Sequence, residues 1–122
     1  MTSLTFQLPW EALVSDNRRY VKGHILSKQY RDARNAMAGF ANVAALKADW
    51  RKTTKPVKLE CHIIEPDRRR RDLNFSKALK DAISYCGGVW EDDSQVRWEC
   101  WRFVGRDKAK AGATVRITLL ED

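Results

Sequence analysis

Apolar and polar residues alternate in several stretches of the chain, a pattern typical of strands with one buried face. The alternation predicts strands over 4–8, 57–64, 95–103 and 114–120, with a further short strand over 21–26. The central strand has four apolar residues on its buried side: Val57, Leu59, Cys61 and Ile63. In the strand over 95–103, the same alternation assigns Val96, Trp98 and Cys100 to the core side, and the basic segment 105–112 is predicted to be a hairpin-like connection to the last strand.

Two other stretches show the three- and four-residue spacing of amphipathic helices. The longer predicted helix follows Ser27, a residue type favoured at helix N-caps, and continues to about Trp50. The shorter one runs from about Phe75 to Cys86 and ends at two glycines. The fold class expected for residues 1–122 is therefore a single α/β (α+β) domain, a small mixed sheet packed by one long and one shorter helix.

The charge of the chain indicates the class of molecule that the protein binds. A formal net charge of +7 and a pI near 9.6 favour a polyanion, because neutralised phosphates release their condensed counterions. No apolar run approaches the roughly 20 residues needed to span a bilayer, and no signal-peptide pattern opens the chain. We therefore expect a cytoplasmic nucleic-acid-binding protein without a membrane partner or a small-molecule cofactor.

The cysteines and histidines do not change that expectation. Cys61, Cys86 and Cys100 are widely spaced in predicted strand or helix segments, which is typical of reduced core residues. The close cysteine and histidine pairs of a zinc site are missing, and His62 is interpreted as structural.

Acidic residues beside the arginine run are the candidate chemistry. Hydrolysis of a phosphodiester needs a neutralised phosphate and an activated water, and Mg²⁺ held by carboxylates supplies both. Asp72 and Asn74 are two residues apart in an extended segment, so their side chains are expected on one side. Of Asp92 and Asp93 at the next strand, we choose Asp93 as the residue facing them. Lys77, in the first turn of the shorter helix, could meet a phosphate or the leaving oxygen.

These residues resemble the RusA family of Holliday-junction resolvases. The specific matches are Pro66-Asp67, the arginine run with Asp72-Leu73-Asn74, Lys77-Ala78, Asp81-Ala82 and Asp92-Asp93-Ser94-Gln95-Val96. Weaker matches cover much of the remaining chain: Leu8-Pro9-Trp10, Ser15 with Asn17 and Tyr20, Tyr30-Arg31-Asp32, and Glu60-Cys61-His62.

The resemblance implies a dimeric nuclease that cuts symmetry-related strands of four-way junctions with Mg²⁺, or Mn²⁺ as the alternative, held by three aspartates. Two of these carry over as Asp72 and Asp93, and the catalytic lysine carries over as Lys77. Asn74 is then the weak third metal ligand. The residues expected to grip the DNA backbone are Arg68, Arg69, Arg70, Arg71, Asn17, Arg18, Arg19 and Lys22. The expected setting is the cytoplasm of a bacterium, with the gene belonging to the host or a phage.

The chain departs from the family at the third aspartate. The family pattern is Asp-x-Asp-Asn, whereas here Asp72-Leu73 is followed directly by Asn74. Either the aspartate has become Asn74, or it was deleted and Asn74 matches the family's asparagine. An asparagine oxygen can ligate Mg²⁺ without contributing charge, and Glu91 or Asp92 are the candidates to compensate.

Each of these residues also has a structural interpretation. Asn74 is a good N-cap, the arginine run could be a solvated basic face, and Lys77 with Asp81 has the spacing of a surface ion pair. Trp90, Trp98 and Trp101 are typical of a core or a dimer interface. The alternative functions are a junction-binding protein with weak or lost cleavage and a basic nucleic-acid-binding module without branch preference.

Overall fold

The computed structural model describes residues 2–16, 20–21 and 25–120. In this part of the chain the elements follow in order as β1 (Ser3–Pro9), β2 (Tyr20–Val21), β3 (Ile25–Leu26), α1 (Lys28–Lys47), β4 (Val57–Glu65), α2 (Ser76–Cys86), β5 (Val96–Arg106) and β6 (Gly112–Leu119). Two short 3-10 turns lie at Trp10–Ala12 and Asp93–Gln95. The predicted small mixed sheet with one long and one shorter helix is confirmed. The short strand expected over 21–26 is instead a two-stranded ribbon of β2 and β3.

The main sheet has the strand order β1-β6-β4-β5. β6 is antiparallel to both β1 and β4, whereas β5 lies parallel to β4 at the edge. The hairpin expected at 105–112 is wrong, because β4 lies between β5 and β6. α2 carries the chain back along the sheet, so β5 pairs with β4 in parallel on the side of β4 opposite β6. The connection from β5 to β6 therefore passes the end of β4.

The core lies between the sheet and the two helices. Val57, Leu59, Cys61 and Ile63 on β4 are all completely buried, as their alternation predicts. The helix α1 begins where expected, since the Ser27 hydroxyl accepts a hydrogen bond from the Tyr30 amide at 3.0 Å. α1 packs mainly against α2 and β1 and buries Tyr30, Met37 and four alanines. Trp90, one of the three tryptophans with a predicted core or interface role, is fully buried.

The predicted core face of β5 is wrong beyond its first residue. Val57 aligns with Val96 but Lys58 aligns with Trp98, so Arg97 is an extra residue in a bulge. The bulge shifts the alternation by one position. Trp101 and Phe103 therefore pack against the core, while Trp98 is 49% exposed on the other face, where Lys58 lies 4.9 Å from its ring centre.

Glu99 is the main polar link between β5 and α2. Its carboxylate accepts hydrogen bonds from the Ser76 hydroxyl at 2.5 Å, the Lys80 ammonium at 3.0 Å and the Trp101 indole at 3.0 Å. Partial burial of Glu99 raises its pKa, but the hydrogen bonds outweigh burial and hold the pKa below its usual value. These bonds fix the first turn of α2 against the edge strand.

All three cysteines are free, and only Cys61 is fully buried. Burial raises the pKa of the Cys61 thiol far above its usual value, with a smaller contribution from the nearby Glu99 carboxylate. The predicted core position is confirmed for Cys61, whose burial makes the thiol unreactive. Cys86 is partly exposed, and the core-side assignment of Cys100 is wrong because the β5 bulge places it on the other face. No helix in the described ranges is long and apolar enough to cross a membrane.

Candidate active site

The arginine loop, residues 66–72, connects the end of β4 to the segment before α2. Asp67 closes this loop: its Oδ1 accepts hydrogen bonds from the Arg69 amide at 3.0 Å and from Arg71 Nη2 at 2.8 Å. The bond from the Arg69 backbone, followed by that from Arg71, lowers the pKa of Asp67. The loop is thus a compact turn held by its own carboxylate.

The four arginines of the run have different environments. Arg68, Arg69 and Arg70 are exposed. The Arg71 guanidinium is partly buried, donates to Glu65 Oε2 at 3.3 Å, and lies 4.9 Å from the centre of the Trp10 ring. Glu65 is itself buried, with 8% of its surface exposed. Arg71 therefore holds the loop to the body of the protein, and the other three arginines face solvent.

Asp72 and Asn74 line one pocket of 550 Å³ next to this loop. Its other residues are Trp10, Leu13, Val14, Ser15, Gln29, Arg71 and Phe75. Asp72 is exposed and has no hydrogen-bond or ion-pair partner within the described ranges. The Asn74 amide donates to the Ser15 hydroxyl at 2.9 Å. The structure therefore brings these two predicted ligands into one pocket.

The N-terminus of α2 is capped by Asp16 and not by Asn74. Phe75 occupies the N-cap position without a side-chain bond. Instead, Asp16 Oδ1 accepts from the Ala78 amide at 2.8 Å and Oδ2 from the Lys77 amide at 3.2 Å, while the Asp16 amide donates to the Asn74 carbonyl at 2.8 Å. A carboxylate of the protein thus lies at this helix end, where the helix dipole favours negative charge.

Replacing Asp16 by alanine is expected to lower the free energy of unfolding by about 1 kcal/mol, the usual cost of a lost helix cap. Asp16→Asn should lose less, because asparagine caps helices about as well as aspartate. Urea unfolding of both variants measures this, with Asp32→Ala on the exposed face of α1 as the control. An Asp16→Ala variant as stable as wild type would show that the contact does not stabilise the helix.

Lys77 forms the ion pair that its spacing to Asp81 allows. Its Nζ lies 3.6 Å from Asp81 Oδ1, and half of the lysine side chain remains exposed. Asp81 Oδ2 also accepts a hydrogen bond of 2.7 Å from the Tyr30 hydroxyl. The lysine is therefore accessible to an anionic ligand while it is loosely held by the protein.

Asp93 is positioned from the opposite end of α2. Its carboxylate Oδ1 accepts a short hydrogen bond from the Ser84 hydroxyl, which in turn accepts one from the Trp90 indole at 2.8 Å. Asp93 lines a second pocket of 480 Å³ together with Tyr30, Arg34, Asp81, Ser84, Tyr85 and Asp92. Asp72 and Asn74 do not line this second pocket.

Gln95 of the Asp-Asp-x-Gln-Val signature organises the turn that carries Asp93. Its side-chain oxygen accepts from the Glu91 and Asp92 amides, both at 2.8 Å, and its amide donates to the Thr53 and Lys55 carbonyls at 2.8 and 3.0 Å. Asp92 accepts from the Ser94 amide at 3.0 Å, and hydrogen bonds with Ser94 lower the pKa of Asp92. Asp92 and Gln95 thus form a capping box around the turn, and the Asp-x-x-Gln spacing is the sequence signal for it.

The predicted metal ligands are not gathered at one point. Asp93 bonds to Ser84, whereas Asp72 precedes Ser76, and eight helical residues span about 12 Å along the axis of α2. Within the described ranges, no group of three or more histidine, cysteine, aspartate or glutamate residues could hold a metal ion. The described structure therefore does not bring Asp93 into the pocket lined by Asp72 and Asn74. Asn17, Arg18, Arg19 and Lys22 lie outside the described residues.

The sequence matches a known family over nearly its whole length. The family described as Endodeoxyribonuclease RusA matches residues 9–118. A crossover junction endodeoxyribonuclease RusA from Shigella sonnei is 36% identical over 108 residues, covering 79% of this chain and 78% of that protein. The protein of the same name from Escherichia coli K12 is 37% identical over the same shares. One from Enterobacteria phage 82 is 36% identical over 100 residues, again covering 79% and 78%. This chain belongs to the RusA family of endodeoxyribonucleases.

Proposed function

We propose that this chain is an endodeoxyribonuclease that resolves four-way DNA junctions. The observation that carries the proposal is the family match over residues 9–118, because it spans Asp72, Lys77 and Asp93 together. The relatives from enteric bacteria and from a phage are named for crossover junctions. The proposed setting is accordingly the bacterial cytoplasm, with a host or phage gene.

The proposed DNA contacts begin at the arginine loop. Arg68, Arg69 and Arg70 are exposed beside the Asp72 pocket, where they can neutralise the phosphates flanking a scissile bond. Arg71 completes the proposed set from its partly buried position, together with Asn17, Arg18, Arg19 and Lys22. Asp16, the described residue that precedes Asn17 in the chain, accepts hydrogen bonds from the Lys77 and Ala78 amides of α2.

The proposed catalytic residues are Asp72, Asp93 and Lys77. The proposed ligands of Mg²⁺, or of Mn²⁺ as the alternative, are Asp72, Asp93 and Asn74. When bound, such an ion would supply phosphate neutralisation and an activated water. Because Asp72 and Asp93 line different pockets, we assign no reaction step to the ion. Lys77, five residues after Asp72, is the cation proposed to stabilise charge on the leaving oxygen.

The proposed assembly is a homodimer. Resolution requires two cuts in symmetry-related strands of the junction, and a twofold dimer presents two equivalent sites to them. The edge strand β5, with its exposed Trp98, leaves backbone groups without a strand partner on one side of the described sheet.

A second candidate function is junction binding with weak or lost cleavage. Two observations favour it: the third family aspartate is missing from the sequence, and Asp72 and Asp93 lie at opposite ends of α2. The exposed arginines would still bind a branched backbone in this case, since that interaction needs no metal.

An end-labelled mobile four-way junction distinguishes the two functions. We expect purified protein with Mg²⁺ or Mn²⁺ to produce paired symmetric nicks that EDTA abolishes, with linear duplex of equal length as the control. Tight binding of the junction without a nick in either metal would replace the first proposal by the second. Equal affinity for linear and four-way DNA would contradict both and favour a general nucleic-acid-binding module.

A further inference from the structure

A second basic segment lies beside the arginine loop. β4 and β5 are parallel, so their carboxyl ends meet at one edge of the sheet, where Glu65 aligns with Arg106. The chain leaving β5 carries Arg106, Lys108 and Lys110, all exposed. Adjacent strands are about 4.8 Å apart, so this segment starts next to the loop that carries Arg68, Arg69 and Arg70.

Backbone hydrogen bonds hold the two segments together. The Asp107 amide donates to the Glu65 carbonyl at 2.9 Å, immediately before the arginine loop. The Trp10 amide donates to the Ala111 carbonyl at 3.2 Å, which ties the other end of the segment to the Asp72 pocket. The basic segment is therefore fixed relative to both the arginine loop and the candidate active site.

Apart from Asp72, the carboxylates in this region are bound inside the protein. Asp107 accepts hydrogen bonds from the Ala109 and Lys110 amides at 2.9 and 3.3 Å, which closes a tight turn. Asp67 and Glu65 are bound to Arg71. Within the described ranges, Arg106, Lys108 and Lys110 form no ion pair. Their charges are thus available to an external anion.

We infer that residues 106–110 form a second phosphate-binding element, which contacts the backbone of the same DNA arm as Arg68, Arg69 and Arg70. The inference rests on the proposed function and extends it from one loop to a surface built by two. Lys108 and Lys110 are the residues that bind phosphate. Asp107 positions them through its turn and its bond to Glu65.

The test compares two double variants that remove equal charge. Lys108→Ala/Lys110→Ala removes the proposed contacts. Arg51→Ala/Lys52→Ala removes two exposed cations that precede β4, at the other end of a strand about 26 Å long. Binding to a fluorescent four-way junction is measured by anisotropy over a series of salt concentrations, and thermal melting by circular dichroism shows that both variants fold.

We expect the Lys108/Lys110 variant to bind on the order of tenfold more weakly than wild type. The slope of log K against log salt concentration should fall by about 1.8, since each phosphate contact contributes about 0.9. The Arg51/Lys52 variant should retain the wild-type slope. Equal losses in both variants, or no loss in the first, would overturn the inference. A parallel Arg68→Ala/Arg69→Ala variant that still weakens binding in that case would leave the proposed function standing, whereas a wild-type protein that does not bind the junction would overturn both.

Discussion

Replacing Asp72 by asparagine is expected to lower the rate of junction cleavage by on the order of 100-fold or more, without weakening junction binding. The change removes one negative charge at nearly constant shape from the pocket beside the arginine loop. A carboxylate whose charge acts at the reacting phosphate mainly lowers the activation barrier of cleavage. A 100-fold loss of rate corresponds to a barrier higher by about 2.7 kcal/mol. Binding should stay constant or tighten slightly, because a carboxylate near phosphate is repulsive.

We expect Asp72→Asn to change the cleavage rate without changing the stability of the protein. Asp72 is exposed and makes no hydrogen bond or ion pair within the described ranges, so its replacement should change the free energy of unfolding by less than about 0.5 kcal/mol. Asp32→Asn, an exposed aspartate on α1 that pairs with Lys28, is the matched control. Cleavage is measured under single-turnover conditions with saturating protein, so that affinity does not enter the rate.

The result would also decide how the missing family aspartate is to be understood. If Asp72→Asn cleaves like wild type, Asp72 is not catalytic, and the acidic pocket around Asp93 becomes the candidate site. If wild type itself does not cleave but binds, Asn74→Asp, or an aspartate inserted before Asn74, tests whether the lost carboxylate restores activity.

The predictable part of the fold is the part in which alternation is uninterrupted. β4 is paired on both sides over most of its length, so each second residue must be buried, and its sequence shows this directly. β5 is an edge strand with a bulge at Arg97. The bulge exchanges the residues that face the core with those that face away from it, and the residue types of the strand do not indicate this. The pairing of β6 with β4 could not be predicted either. Residues 105–112 are of the types found in hairpin loops, but they connect β5 to a strand on the other side of β4.

The predictable part of the candidate site is its list of residue types, and the unpredictable part is their partners. Asp16 caps α2 although it lies 62 residues earlier in the chain than Ala78, and no local sequence pattern predicts such a cap. Gln95 was part of the recognised signature, but its bonds to Thr53 and Lys55 cross 42 and 40 residues. The separation of Asp72 from Asp93 arises because Asp72 precedes α2, whereas Asp93 bonds to Ser84 near the other end of the helix, a partner that no local pattern indicates.

The different environments of Arg70 and Arg71 also could not be predicted from the sequence, because the two residues are identical and adjacent. Replacing Arg71 by alanine is expected to lower the free energy of unfolding by about 3 kcal/mol, because the buried Glu65 carboxylate loses its cation. The lost contact with the Trp10 ring adds to this. Arg70→Ala, at an exposed position, should cost less than about 0.5 kcal/mol.

Chemical unfolding of the two single variants and of Glu65→Ala/Arg71→Ala separates the ion pair from other losses. The double variant should be more stable than the sum of its single changes predicts, because it leaves no unpaired carboxylate in the interior. Equal stability of Arg71→Ala and Arg70→Ala would refute the structural role of Arg71. In that case Arg71 would act like its neighbours, and the salt dependence of junction binding should fall equally for both variants. The expected outcome instead makes Arg71 the residue that holds the arginine loop in place, so that Arg68, Arg69 and Arg70 can meet the DNA.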